Sequence, residues 1–226
     1  MKKKITAIEV MQLLDKEQNA TKKEQMEAYM RHQFPFLGIQ TPQRRALTKP
    51  FLYQYKTNDP IDWEAVMMLW NHPYREYQYV ACDLLRRQKR RLCFADIEKL
   101  KILALNKSWW DTVDVIDVLI GEIGLNDPRV ENVMLQWSQA DSIWLRRIAI
   151  DHQRLYKEKT NKALLTQIIA NNFHTDEFFI NKAIGWSLRE YSKTNPQFVQ
   201  QFVADHQKEL SALSYRESLK YIKKRD

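Results

Sequence analysis

Ser108-Trp109-Trp110-Asp111-Thr112-Val113-Asp114 reads as the start of a helix. Ser108 with an acidic residue three positions on has the pattern of a capping box, so the helix is predicted to begin just after Ser108. Asp111 then has a local task near the helix N-terminus, where negative charge is favoured. Asp114 has no such task. It lies four residues beyond Trp110, so ring and carboxylate share a face. Similar starts recur along the chain. Thr41 precedes Pro42 and His72 precedes Pro73, with proline suited to a first helical position. Asp141 precedes Ser142-Ile143-Trp144, and Thr175 precedes Asp176-Glu177. Successive starts lie 31, 36, 33 and 34 residues apart.

Between these starts lie second helices, predicted over 95–106, 128–139, 161–172 and 196–206. Helix pairs repeating in the mid-thirties are the signature of an α-solenoid, and even spacing over five units favours it over a plain bundle. The expected fold is all-α, a HEAT-like α-α superhelix with a concave basic face. Residues 1–226 form one domain in this reading. Residues 1–40 are capping helices with Leu13, Leu14, Met26 and Tyr29 as apolar contacts, 41–210 are the repeats, and 211–226 are a basic C-terminal helix.

The composition agrees. Only 4 glycines and 7 prolines in 226 residues leave few turns, which disfavours many short strands. A hydrophobic share of 44% supplies a core, and 28% charged residues is ordinary for a soluble chain. No apolar run reaches bilayer-spanning length. Met1-Lys2-Lys3-Lys4 is not followed by an apolar signal core, so a cytoplasmic chain with no membrane partner is expected. Cys82 and Cys93 have no metal-ligand spacing and are expected as reduced thiols. The five histidines are scattered, and no Walker loop, dinucleotide fingerprint or serine elbow occurs, so no cofactor is expected.

Lys+Arg 36 against Asp+Glu 28 gives a net charge of +8. Such an excess suggests a polyanionic partner. Lys182, Trp186, Arg189 and Lys193 form one helical stripe, opposite the apolar stripe Ile180, Ile184, Leu188 and Tyr191. The polar stripe reads either as a solvated face or as a phosphate-tracking surface in which a ring packs on sugar or base. Arg44, Arg45 and Lys49 follow Pro42, Arg75 follows Pro73, and Arg86, Arg87, Lys89, Arg90 and Arg91 form a basic run that reads as solvated or as meeting a polyanion's backbone.

Asp111, Asp114 and Asp117 are spaced three apart and repel one another unless a cation intervenes. A metal, an arginine or a cationic substrate would serve; with no histidine nearby and no metal motif, arginine is favoured over metal. Arg147 has two readings of its own. It pairs with Asp151 at i+4, or it instead faces a phosphate or balances the acidic cluster of the neighbouring repeat, near Asp114.

Four segments together resemble a known family: 36–45 (FLGIQTPQRR), 108–114 (SWWDTVD), 144–147 (WLRR) and 178–191 (FFINKAIGWSLREY). They look like the AlkD-type DNA alkylation repair glycosylases, and the match runs from about Tyr29 to near the C-terminus. The resemblance implies a HEAT-like solenoid wrapping duplex DNA as a monomer. It implies hydrolysis of the N-glycosidic bond of cationic purines, 3-methyladenine and 7-methylguanine, with the lesion read from the backbone side. It assigns the catalytic aspartate to Asp114, the site tryptophans to Trp110 and Trp186, the site arginine to Arg147 and a contacting tyrosine to Tyr29. Arg146 varies in the family and receives no role. With the basic positions read above, the expected DNA contacts are Tyr29, Arg44, Arg45, Lys182, Arg189 and Lys193. Two other readings stand beside this one: a nucleic-acid-binding solenoid without catalysis, and a protein-binding scaffold.

Overall fold

The structure is a computed structural model that describes residues 4–56 and 59–222. Among these residues every regular element is helical, with thirteen α-helices, three short 3-10 helices and no strand. The chain divides into two compact units, Met1–Leu92 and Cys93–Asp226, where the sequence reading has one domain with internal boundaries at 40 and 210. No helix of the described residues is long and apolar enough to cross a membrane.

The first unit holds α1 (Ala7–Asp15), α2 (Ala20–Tyr29), α3 (Thr41–Gln54), α4 (Trp63–Asn71) and α5 (Arg75–Arg87). Thr6 and Glu9 cap α1 reciprocally, as a capping box does. Helices α4 and α5 pack together, and α3 packs on α1 and α5. Phe36, Leu37, Ile39, Phe51, Leu69, Trp70 and Tyr77 are buried between them. The stretch Leu37-Gly38-Ile39 is held by one buried carboxylate: Glu76 accepts all three backbone N–H groups at 2.9–3.0 Å. Of the apolar contacts expected in the first forty residues, Leu14 is fully buried, but Leu13 and Tyr29 are exposed. Helix α2 buries none of its own residues. Its larger apolar residues are only Met26 and Tyr29, too few to form an apolar stripe.

The second unit holds α6 (Ile97–Leu105), α7 (Trp110–Gly124), α8 (Arg129–Trp137), α9 (Ile143–Asp151), α10 (Lys162–Ala170), α11 (Phe178–Tyr191), α12 (Pro196–Asp205) and α13 (Ala212–Ser218). Helices α7, α9, α11 and α13 pack side by side in that order. Helix α6 packs on α7 and α9, α8 on α7, α9 and α10, and α12 on α11 and α13. The unit is therefore two layers of helices built from successive pairs. The series α3, α5, α7, α9, α11 starts at residues 41, 75, 110, 143 and 178, and α13 continues it at 212. The C-terminal helix is thus the next member of the repeat. It places Ser214, Glu217 and Ser218 in the interior, whereas the sequence reading made it a basic tail. Lys223, Lys224 and Arg225, three of the five basic residues in 211–226, lie outside the described residues.

Two expected starts are corrected. The capping box at Ser108 does not form, because the Ser108 hydroxyl donates 2.7 Å to the Ala104 carbonyl at the end of α6. Trp109, in extended conformation, is the N-cap of α7 and gives it no side-chain bond. One hydroxyl stands between two helix ends and serves the earlier one. His72 and Pro73 form the turn after α4, and α5 begins at Arg75.

The close approach of α7 to α9 depends on Gly121. A Cβ there would stand 2.3 Å from the His152 carbonyl oxygen, a backbone atom that cannot swing aside. Gly185 serves in the same way where α11 meets Glu217 and Ser214 of α13. Gly121→Ala is expected to lower stability by roughly 1–3 kcal/mol, as overpacking does. The midpoint of urea unfolding measures it, and an unchanged midpoint would contradict this account of the crossing.

Candidate active site

Helices α7 and α9 bring together the residues the sequence singled out. Asp114 lies on α7 one turn from Trp110, and Arg147 lies on α9. The Arg147 guanidinium forks onto Asp114, with Nε donating 2.8 Å to Oδ1 and Nη2 donating 3.0 Å to Oδ2. Nη1 donates 2.8 Å to the Phe179 carbonyl of α11. Such a bidentate pair fixes both groups in orientation. The i+4 neighbour of Arg147, Asp151, stands 3.9 Å from Nη2, an ion pair without a hydrogen bond.

A second arginine completes the cluster. Arg154, just beyond α9, donates through Nη2 to both oxygens of Asp117 at 3.2 and 3.1 Å. Its guanidinium lies 3.9 Å from the Trp186 ring centroid, and that of Arg147 lies 5.9 Å from it. Trp186, on α11, is thereby seated against both cations. Three carboxylates from Asp114, Asp117 and Asp151 come within 4.8 Å of one another. By spacing alone they suit a divalent cation. Their oxygens instead meet two guanidinium groups, so arginine is the cation the structure places there. Asp111, the third acid of the sequence trio, sits in the first turn of α7, and Asp151 takes its place in the cluster.

The three acids differ in exposure. The Asp114 side chain is 16% exposed, while those of Asp117 and Asp151 are 1% and 0%. Burial pushes the Asp151 carboxyl up to about 7, against the pull of Arg147 and Arg154. Burial likewise raises Asp117, with Arg154 opposing and Asp151 and Asp114 adding to the rise. For Arg147, burial disfavours the charge, but Asp151 and Asp114 more than offset it, so its pKa is raised. His152, next to Asp151, is pulled down to about 4 by burial and is neutral near pH 7.

Trp109 belongs to packing. It meets Trp144 and Phe179 at ring-centroid distances of 5.7 and 5.2 Å. Trp110 and Trp186 are half-buried, so each keeps part of its surface outside the core. Arg146 turns away and donates 2.7 Å to Asn172, a structural contact.

The expected DNA-contacting residues fall into two groups. On α11 and α13, Lys182 and Arg189 both pair with Glu217, at 3.1 and 2.8 Å, and Lys220 joins them at 2.5 Å. Three cations on one carboxylate leave an excess of positive charge. Lys193 pairs with Glu190 at 2.6 Å. In the first unit, Arg44 is buried against Tyr79 and lies 3.5 Å from Asp83, so it is an internal cation. Arg45 is exposed, and Tyr29 is 72% exposed. Arg75, from the same basic count, is fully buried and stacks on Phe34 at 3.8 Å.

Arg154 and Glu217 are the functional-region residues that sequence reasoning missed. Arg154 follows the end of α9, where helical periodicity no longer predicts direction. Glu217 was hidden by reading α13 as a tail.

Among the described residues the protein is all-helical and built of successive helix pairs, with a buried acid–arginine cluster in which Asp114 alone keeps an exposed edge. The family model for DNA alkylation repair enzymes matches residues 10–222, and the chain belongs to that family. A solved structure from Enterococcus faecalis, described as a predicted DNA alkylation repair enzyme, is similar over 91% of this chain and 96% of its own. The two share 38% identity with a TM-score of 0.83. No match is found among curated proteins.

Proposed function

We propose that this chain is a DNA glycosylase that hydrolyses the N-glycosidic bond of cationic N3- and N7-alkylated purines in duplex DNA, as part of base excision repair. One observation carries the reading. Asp114 is the one acid of the cluster with an exposed edge, and Arg147 holds it in a fixed direction beside Trp186.

Alkylation at N3 or N7 gives the purine a positive charge, so the base leaves without an acid to protonate it. The C1′–N bond breaks, its electron pair neutralises the base, and the sugar is left oxocarbenium-like. A fixed carboxylate stabilises that charge in place. Water adds at C1′, and Asp114 accepts its proton. The exposed parts of Trp110 and Trp186 favour positive charge over their faces and pack against the sugar. Basic side chains supported by Glu217 neutralise phosphates of the duplex. The chemistry uses no cofactor, and the protein works as a monomer.

The reading separates charged from neutral leaving groups. A duplex bearing 7-methylguanine is expected to lose its base at least about 100-fold faster than one bearing hypoxanthine at the same position, because the site supplies charge stabilisation rather than proton donation. Equal rates for the two bases would contradict it.

A further inference from the structure

Asp151 is a buried carboxylate that the proposed chemistry does not use. Its side chain is fully buried, and neither oxygen has a hydrogen-bond partner. Buried carboxylates are ordinarily hydrogen-bonded, so such an acid is costly when ionised. The charged groups facing it are Arg147 on its own helix, Arg154 beyond that helix, and Asp114 and Asp117 from α7. His152 beside it is neutral near pH 7. From α11 come the uncharged Trp186, against Arg154, and Ser187, whose hydroxyl donates to the Ile150 carbonyl.

The cluster therefore holds three acids and two arginines. With every group ionised it carries one net negative charge; with one proton it is neutral. That proton settles on Asp151 rather than Asp117, because Arg154 donates twice to Asp117 and nothing donates to Asp151. Asp114 is held by both arms of the Arg147 fork.

We infer that Asp151 is a positioning residue that sets the charge of the site through Arg147. Protonated, it leaves the guanidinium wholly to Asp114, and the cluster is neutral. Ionised, it draws the Arg147 Nη2 group across the 3.9 Å gap, loosens one arm of the fork, and gives the exposed Asp114 edge a net negative surround. The second state favours a cationic base and an oxocarbenium-like sugar. Near-neutral titration of this group, raised by burial, places the change in the physiological range.

The inference rests on the glycosylase reading for its kinetic consequence. The test is single-turnover release of 7-methylguanine from methylated duplex DNA between pH 6 and 8.5, with Asp151→Asn and Asp151→Ala beside wild type. The wild-type rate is expected to rise about tenfold, the size of effect of one unit charge at about 10 Å in an effective dielectric near 20. Both variants should stay flat at the wild-type low-pH rate, with unchanged DNA affinity. A parallel rise in the variants would overturn the inference.

Melting temperature over the same range, extended to pH 5, gives a second readout independent of activity. A raised carboxyl pKa makes the native state hold the proton longer, so wild-type stability falls as pH climbs from about 4 through about 7. Asp151→Asn should make that fall shallower, leaving the part that the raised Asp117 carboxyl contributes. If wild type releases no base at any pH, the glycosylase reading fails and the melting curves still decide on Asp151. Parallel curves for wild type and variant would then refute the buried proton.

Discussion

Asp114→Asn is expected to leave duplex binding intact and to slow release of 7-methylguanine by about 10²- to 10³-fold, the usual loss when one preorganised charge-stabilising group is removed. The exchange keeps the shape. It removes the only carboxylate of the cluster with an exposed edge. The amide oxygen can still accept one bond from Arg147, but the amide nitrogen then faces a guanidinium arm that needs an acceptor. The fold should tolerate this, because losing one acid relieves repulsion at Asp117 and Asp151. Comparing the variant by gel-shift affinity and single-turnover release separates the two effects. Release within tenfold of wild type would remove Asp114 from the mechanism.

Arg147→Ala is expected to do more to the fold than any other change at the site. It strips the fork from Asp114, the bond to the Phe179 carbonyl, and the cation nearest Asp151. Removing one partner of a buried ion pair costs about 3–5 kcal/mol, because the remaining charge is left uncompensated. Here Arg154 alone would face three acids. The sign with pH follows from their carboxyl groups. Without Arg147 the Asp151 carboxyl, already raised by burial, loses its largest opposing pull and rises further, so stability is retained below the unfolded value and lost as pH climbs through the raised one. Urea unfolding at pH 5.5 and pH 8 should show the larger deficit at pH 8. Equal deficits at both, or a deficit under about 1 kcal/mol, would contradict the buried pairing. Base release should fall as well, since Asp114 loses what orients it.

The helix series was legible because a solenoid repeats one solution. Within each unit the helix pairs bury their apolar faces against neighbouring helices, so starts and stripes recur at a fixed period, and the observed starts are more regular than those read from caps alone. The same register let Arg147 be set near Asp114 from sequence. Caps were less legible. Ser108 satisfied the pattern of an N-cap and yet served the carbonyl of the preceding helix, a choice that local sequence does not decide. The first unit showed the limit of reading charge. Arg44 and Arg75 counted as surface cations, but both are buried against rings, because an arginine's planar head stacks where a lysine's does not. Arg154, and the depth of Asp151 as distinct from its i+4 pairing with Arg147, were out of reach for another reason. Their roles come from depth in the packing of α7 against α9 and α11, and exposure has no periodic signature within a single charged residue.

Cationic stripes also changed in meaning. Lys182 and Arg189 looked like free phosphate ligands when α11 was read alone. In the structure both lean on Glu217, which α13 brings to them across the Gly185 contact. The stripe is a pre-set array of cations with partial internal neutralisation. Such an array loses less side-chain freedom on meeting a phosphate than unrestrained lysines do.

The central claim is that the Asp114 site releases an intact alkylated base. Methylated duplex DNA incubated with excess wild-type protein, followed by separation of free bases from the polymer, tests it most directly. The account predicts free 7-methylguanine and 3-methyladenine with matching abasic sites in otherwise unbroken strands. DNA that is bound but retains its methylated bases, or repaired guanine with no free base, would contradict it.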